Sequence, residues 1–262
     1  MGNDLESLAE FARELAFAAR RETLSDCWGS VAVENKLASG FDPVTVCDRR
    51  AEQAIRRLIE ERFPDHGIKG EEYGDRPARG PLSWSLDPID GTRAYICGLP
   101  TWSTLIALLD EDEPVLGIID IPRLDELHLG FDGQATRWMA GRPRPIRTSG
   151  CTTLAKARLS TTDPDLFSAG EAKAFDRLRR NVRVTRYGLD GYGYAAVAAG
   201  GIDIVAESGL KPHDYQAIVP VVRAAGGAVA NWSGGSDLSS GRIVAAASEA
   251  LLEAACRLLG EA

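Results

Sequence analysis

The sequence is poor in thiols, in positive charge and in long apolar runs. Its five cysteines (Cys27, Cys47, Cys97, Cys151 and Cys256) are scattered, odd in number and never spaced as CxxC. That pattern argues against a disulfide framework and a zinc knuckle, and it predicts free thiols in a reducing cytoplasm. No apolar stretch approaches the roughly 20 residues that cross a bilayer, so no membrane partner is expected. The N-terminus lacks the basic start, apolar stretch and small-residue cleavage site of a signal peptide. Met1-Gly2 opens as a myristoylation signal does, but Glu6 stands where Ser or Thr is required. Lys and Arg number 30 against 38 Asp and Glu, a net charge of −8 that argues against nucleic acid as a partner. Hydrophobic residues at 44% and charged residues at 26% of 262 are those of an ordinary globular chain with a substantial core. Collagen-like, coiled-coil and wholly disordered readings are excluded, and no repeat or low-complexity tract is visible.

The chain reads as two halves. Leu5, Leu8, Phe11, Ala12, Leu15 and Ala19 recur at helical spacing and predict an N-terminal amphipathic helix. Gly29 and Gly40 punctuate a segment of irregular or short-strand character that runs up to Asp48. Asp48 is placed to cap a second helix whose buried side carries Ala51, Ala54, Ile55, Leu58 and Ile59, with Pro64 past its end. From Gly67 to Gly130 the pattern is strand-like. The runs Trp84–Asp87, Thr104–Asp110, Val115–Asp120 and Glu126–Gly130 predict an antiparallel meander. Gly141–Gly150, rich in Pro, Gly and Arg, reads as a linker or seam. Beyond it strands and helices alternate to a last helix at Glu249–Leu259. The expected organisation is an α+β half over residues 1–140 and an α/β half over residues 141–262.

Three segments carry chemistry: Gly70-Glu71-Glu72, Leu86-Asp87-Pro88-Ile89-Asp90-Gly91-Thr92 and Lys211-Pro212-His213-Asp214. In the second, Asp87 ends a strand, Pro88 stiffens the chain and the backbone turns at Asp90-Gly91. Two carboxylates three residues apart on such a turn can converge on one point, and the Ile89 carbonyl offers a further hard oxygen. Donors of this kind suit Mg²⁺. A short helix starting at Thr92 would point main-chain N–H groups at a phosphate, with Gly91 permitting close approach. Taken alone, the same stretch is equally a turn without a metal, the Glu pair a solvated surface pair, and Asp214 a helix N-cap. The alternating acidic positions of an EF-hand are absent. So are a DxDx(T/V) nucleophile loop and a CxxxxxR phosphate loop, so no phosphoenzyme is indicated.

In this order the three segments resemble the inositol monophosphatase superfamily of Mg²⁺-dependent, Li⁺-sensitive phosphatases, and Thr45-Val46-Cys47-Asp48 matches a fourth segment upstream. The resemblance covers nearly the whole chain. It implies a layered αβαβα sandwich, usually a homodimer, that uses two or three Mg²⁺ ions. It also implies residue roles. Glu71, Asp87 and the Ile89 carbonyl hold one metal, and Asp87, Asp90 and Asp214 a second. Glu71 and Thr92 orient and deprotonate the attacking water. Gly91 and Thr92 main-chain N–H groups bind the phosphate. Asp48 stands behind these, near Thr92 or beside a third, looser Mg²⁺, and Glu72 supports them. His213 departs from the family, where Trp usually precedes the late Asp. A packing or substrate-edge role suits it better than metal ligation. The run Glu207-Ser-Gly-Leu-Lys-Pro-His-Asp214 is similar to the histidinol-phosphatase branch, as are Asp190-Gly-Tyr-Gly-Tyr194 and Gly117–Pro122.

The expected reaction is hydrolysis of a small-molecule phosphate monoester by metal-activated water. Histidinol phosphate carries an ammonium and an imidazole, whereas inositol phosphate offers only hydroxyls. Glu207 is the candidate partner of the ammonium, with an exposed strand-end Glu as the bland alternative. Asp190 and Tyr192 are weaker candidates for the imidazole. Histidinol-phosphate phosphatase is the leading reading and inositol-1-monophosphatase, or another monoesterase of the superfamily, the alternative. A catalytically silent, Mg²⁺-responsive interaction protein is the third, and the intact acidic set argues against it.

Overall fold

A computed structural model of the chain describes residues 2–25, 33–35 and 43–260. The first apolar stripe forms helix α1 (Gly2–Thr23), with Leu8, Phe11, Ala12, Leu15 and Ala19 buried. Two short strands, β1 (Val33–Asn35) and β2 (Pro43–Thr45), pair antiparallel before helix α2 (Val46–Arg62). Cys27, Gly29 and Gly40 lie outside the described residues. The N-cap of α2 is Thr45 rather than Asp48. Asp48 sits three residues on and closes a capping box by accepting the Thr45 N–H at 2.8 Å.

Strands β3 (Gly67–Gly70), β4 (Leu82–Asp90), β5 (Ser103–Asp110), β6 (Glu113–Ile121), β7 (Glu126–Phe131), β8 (Gln134–Met139) and β9 (Arg142–Pro145) form one seven-stranded sheet in chain order. β3 runs parallel to β4, and every later pair is antiparallel, which extends the expected meander at both ends. The Pro- and Arg-rich stretch read as a seam begins instead with β9. Its prolines are tolerated there because an edge strand needs fewer N–H donors. Helix α3 (Thr92–Ile96) lies between β4 and β5. The second sheet has the order β11-β10-β12-β14-β13 and comprises β10 (Arg158–Thr161), β11 (Val184–Tyr187), β12 (Ile204–Glu207), β13 (Ala228–Asn231) and β14 (Ile243–Ala246). Helices α4 (Ala169–Arg179), α5 (Gly191–Ala198), α6 (Pro212–Tyr215), α7 (Ile218–Ala224) and α8 (Glu249–Leu259) complete the chain.

The period-two alternation of the strands distributes the core into layers. Ile106 and Leu108 of β5 point to α1 and α2, in a core that also holds Phe11, Ile55 and Trp84. Leu105, Ala107 and Leu109 point the other way, into a central layer made by α5 and α7 and shared with Val205, Val229 and Ala245 of the second sheet. The far face of that sheet packs on α4 and α8 through Phe175, Leu178, Leu251 and Leu259. The layers run helix, sheet, helix, sheet, helix, as the resemblance implied. Four cysteines (Cys47, Cys97, Cys151 and Cys256) are free thiols among the described residues. No helix among them is long and apolar enough to cross a membrane.

One buried ion pair ties α1 to the first sheet. The Arg20 guanidinium grips Asp120 of β6 through Nη2 at 2.6 Å and Nε at 2.8 Å, and reaches Asp125 at 2.6 Å. Burial outweighs these bonds and pushes Asp120 up to about 6. A carboxyl with a raised folded pKa is best tolerated protonated, so its contribution is lost as pH rises through that value. Arg20→Met should therefore cost about 3–5 kcal/mol at pH 8, where Asp120 would be left charged and alone, and distinctly less at pH 5. Urea melts at the two pH values test this, and an equal loss at both would contradict it.

Candidate active site

β4 carries the first two acids to one end of its sheet. Asp87 pairs with Leu105 and Asp90 with Ser103, so three steps on β4 face two on β5. The extra residue is a bulge, and Pro88, with no N–H to pair, lies within it. The Thr104 hydroxyl locks the bulge by donating to the Pro88 carbonyl at 2.8 Å. The chain then reverses at Gly91, whose φ of 82° lies in the left-handed region, and α3 begins at Thr92. β3, parallel to β4, brings Glu71 alongside, with the Glu71 N–H donating to the Leu86 carbonyl at 3.2 Å. Asp214 arrives from the second half of the chain on α6.

Asp87, Asp90 and Asp214 each offer a carboxylate oxygen, and the three oxygens lie within 4.8 Å of one another. Each carboxylate also accepts a main-chain N–H. Asp87 Oδ1 accepts from Ile89 at 3.1 Å, Asp90 Oδ2 from Gly191 at 2.6 Å and Asp214 Oδ2 from Lys211 at 2.7 Å. Ser103 Oγ adds a second bond to Asp90 at 2.8 Å. These anchors fix the headgroups. Burial, with repulsion from Glu71 and neighbouring acids, drives Asp87 far above the usual carboxylate range. Burial and Asp214 push Asp90 up to about 7, and burial pushes Asp214 up to about 6 although the Lys211 N–H opposes it. An all-carboxylate set raised in this way is a site lacking positive charge, and hard oxygen donors suit a hard divalent cation.

The acids open into a cleft of about 660 Å³ lined by Glu71, Asp87, Ile89, Asp90, Gly91, Thr92, Asp190, Glu207 and Asp214, together with Tyr194, Lys211 and His213. Thr92 Oγ1 donates to the Ile89 carbonyl at 3.0 Å. That oxygen keeps a second lone pair. Glu207 is buried at the cleft wall, accepting the Thr162 N–H at 2.7 Å and the Thr161 and Thr162 hydroxyls at 3.0 Å each. Burial pushes it up to about 7. Asp190, also pushed to about 7 by burial and then Asp90, lies against Gly91. His213 Nε2 stands 3.5 Å from Asp214 Oδ1 and 4.0 Å from Glu71 Oε1.

Two sequence candidates lie elsewhere. Asp48 is buried in its capping box, where its Oδ2 accepts both the N–H and the hydroxyl of Thr45. It does not line the cleft, although the charges of Glu72 and Glu71 help burial raise it to about 6. Tyr192 packs against the central core near Glu126 and Arg137 and does not line the cleft either. Within α5, Tyr192 and Tyr194 are two positions apart, about 200° round the axis, so they face opposite sides, and it is Tyr194 that lines the cleft. Its hydroxyl is buried at the cleft with no hydrogen-bond partner among the described residues, and burial with the charge of Glu207 lifts it well above the usual phenol range.

A five-layer fold whose cleft gathers hard oxygen donors beside an amide-bearing turn is an arrangement suited to metal-assisted phosphoryl chemistry. The profile of the inositol monophosphatase family matches residues 4–262. The chain is 42% identical over 228 residues to the chloroplastic bifunctional phosphatase IMPL2 of Arabidopsis thaliana, covering 83% of this chain and 65% of that protein. It is 32% identical to the histidinol-phosphatase of Chlorobaculum parvum, with 92% of each chain covered. The crystal structure of an inositol monophosphatase from Zymomonas mobilis superposes with a TM-score of 0.86 at 37% identity, covering 97% of this chain and 98% of that one. The chain belongs to the inositol monophosphatase family.

The raised carboxyls give the site a pH signature. Their folded pKa values exceed the unfolded value near 4, so the metal-free protein is most stable where they are protonated and loses stability as pH rises through 6 to 7. A divalent cation removes that penalty. The gain in Tm on adding Mg²⁺ should therefore be larger at pH 8 than at pH 5, as read by thermal melts. A gain independent of pH would remove these acids from the binding site.

Proposed function

We propose that the chain is a Mg²⁺-dependent histidinol-phosphate phosphatase. Glu71, Asp87 and the Ile89 carbonyl would hold one ion, and Asp87, Asp90 and Asp214 a second. Mg²⁺ bound there supplies a Lewis acid and lowers the pKa of water. Glu71 and Thr92 orient the attacking water, and Glu71 takes its proton. The Gly91 and Thr92 N–H groups bind the phosphate oxygens at the turn whose left-handed residue brings the backbone close. Asp48, held by Thr45 behind Glu71, acts through its field and its helix rather than by contact. Li⁺ competing at the same acids would inhibit. The reading also carries a homodimer located in the cytoplasm, where the free thiols stay reduced.

Glu207 is the observation that carries the substrate choice. A carboxylate locked by three hydrogen bonds at the cleft wall, beyond the metal-binding acids, suits an ammonium on the leaving group. Asp190 adds a second carboxyl on the same cleft for the imidazole, with Tyr194 in the place first given to Tyr192. Inositol-1-phosphate is the second reading, favoured by the likeness to the Zymomonas enzyme.

A panel of histidinol phosphate and inositol 1-phosphate, with and without Mg²⁺, tests both. We expect Mg²⁺-dependent hydrolysis with the higher kcat/KM on histidinol phosphate, and preference for inositol 1-phosphate would reverse the assignment. Asp90→Asn should lower kcat about 10³-fold or more. Glu207→Gln should raise KM for histidinol phosphate about tenfold or more, the worth of a charge-assisted hydrogen bond, and leave KM for a neutral ester nearly unchanged. Equal effects on both substrates would refute the role of Glu207.

A further inference from the structure

Helix α2 carries Asp48, Glu52 and Arg56 at four-residue spacing, so they stack on one face of the helix. That face meets the loop that follows β3. Glu52 is completely buried, and it neither lines the cleft of the acids nor belongs to their cluster. Its carboxylate accepts the main-chain N–H of Glu72 at Oε2, 2.8 Å away, and that of Tyr73 at Oε1, 3.2 Å away. Arg56 Nε donates to the same Oε1 at 2.7 Å. Arg56 Nη2 then reaches past it to the carbonyls of Tyr73 and, at 2.8 Å, Gly74. One turn of loop is thus held by its donors and its acceptors together. The neighbouring Gln53 fixes the Tyr73 hydroxyl at 2.6 Å. Space for this contact exists because residue 70 is glycine. A Cβ there would lie 2.0 Å from Glu52 Oε1.

The residue between these anchors is Glu71. Before it, Gly70 pairs with Leu86, and the Glu71 N–H donates to the Leu86 carbonyl. After it, two consecutive amides are tied to Glu52. Glu71 shares the cleft with the acids Asp87, Asp90 and Asp214. Where its carboxylate stands among them depends on its main chain, which is held on both sides. Resting on the reading of Glu71 as a ligand, we infer that Glu52, braced by Arg56, is the positioning residue that keeps Glu71 at the cleft and so sets the affinity for the divalent cation.

The test compares the full-length wild type with Glu52→Gln, Arg56→Lys and Glu71→Gln. Gln at 52 retains one acceptor but meets the loop N–H groups with its own amide donors. Lys at 56 keeps the charge but loses the fork to two carbonyls. Ile59→Val, in the apolar core on the same helix, serves as a control for lost stability. Two readouts are taken: the Mg²⁺ concentration for half of the thermal-stability gain, and that for half-maximal hydrolysis of histidinol phosphate. We expect Glu52→Gln to raise both about tenfold or more, with KM within twofold and kcat recovered at saturating Mg²⁺. Arg56→Lys should shift both at least threefold in the same direction and decides the matter if Glu52→Gln does not fold. Ile59→Val should lower Tm and leave both Mg²⁺ midpoints within twofold of wild type. If Glu71→Gln shifts the midpoints and the folded clamp variants do not, the clamp is refuted and the metal reading stands. If Glu71→Gln leaves them unchanged, Glu71 is no ligand and both fall.

Discussion

Like charges crowded into a buried cleft are the constraint on which this structure turns. Two carboxylates about 4 Å apart repel by roughly 4 kcal/mol at the effective dielectric of a protein surface, and three of them bring oxygens within 4.8 Å here. As charged groups they repel one another, and each is also held from behind. Each answers with the same device, a main-chain N–H donated to one carboxylate oxygen, from Ile89, Gly191 and Lys211 respectively. These donors come from the bulge of β4, the start of α5 and the N-cap of α6. They fix direction as well as charge, because an oxygen tied to an amide sets the plane of the one beside it.

The layered fold makes such an arrangement affordable. The acids sit at the rim where the first sheet ends, while the apolar faces of both sheets are buried away from them against six helices. Loss of stability at the rim is therefore separated from the cores that supply stability. The separation is not complete, since α5 and α7 are core and site at once. Tyr194 packs in the central layer and turns its hydroxyl to the cleft, and Ile218, the first residue of α7, lines both. Substitutions in that layer act on substrate wall and core together.

Much of this could be read from the residues. The strands of the meander and the last helix follow from alternation and helical spacing, and the acid segments declared themselves through Asp-Pro and Asp-Gly, which stiffen and turn the chain. Local pattern could not give the seventh strand. Arg142–Pro145 has the composition of a linker, and only its partner β8 makes it an edge. Which tyrosine of GYGY faces the cleft is a matter of helix phase, and Tyr194 rather than Tyr192 lines it. Glu52 was invisible for a different reason. A glutamate inside a helix reads as solvated surface, and nothing in its neighbours announces that two amides from residues 72 and 73 close on it.

The two sheets also divide the chemistry. Asp87, Asp90 and, through β3, Glu71 belong to the first sheet, whose bulge and turn are fixed by backbone pairing. Glu207 ends β12 of the second sheet and is held by Thr161 and Thr162 at the end of β10. On the proposed assignment, a change at the β10–β12 end would act on substrate choice without touching a carboxylate of the first sheet. Relatives named for histidinol phosphate and for inositol phosphate align along most of this chain. Asp190 stands at the junction. It opens α5 with a φ of 47°, a strained setting for a residue with a side chain, and its carboxyl lies against Gly91 of the turn. The next residue, Gly191, donates the amide that anchors Asp90, so this junction ties the start of α5 to the end of β4.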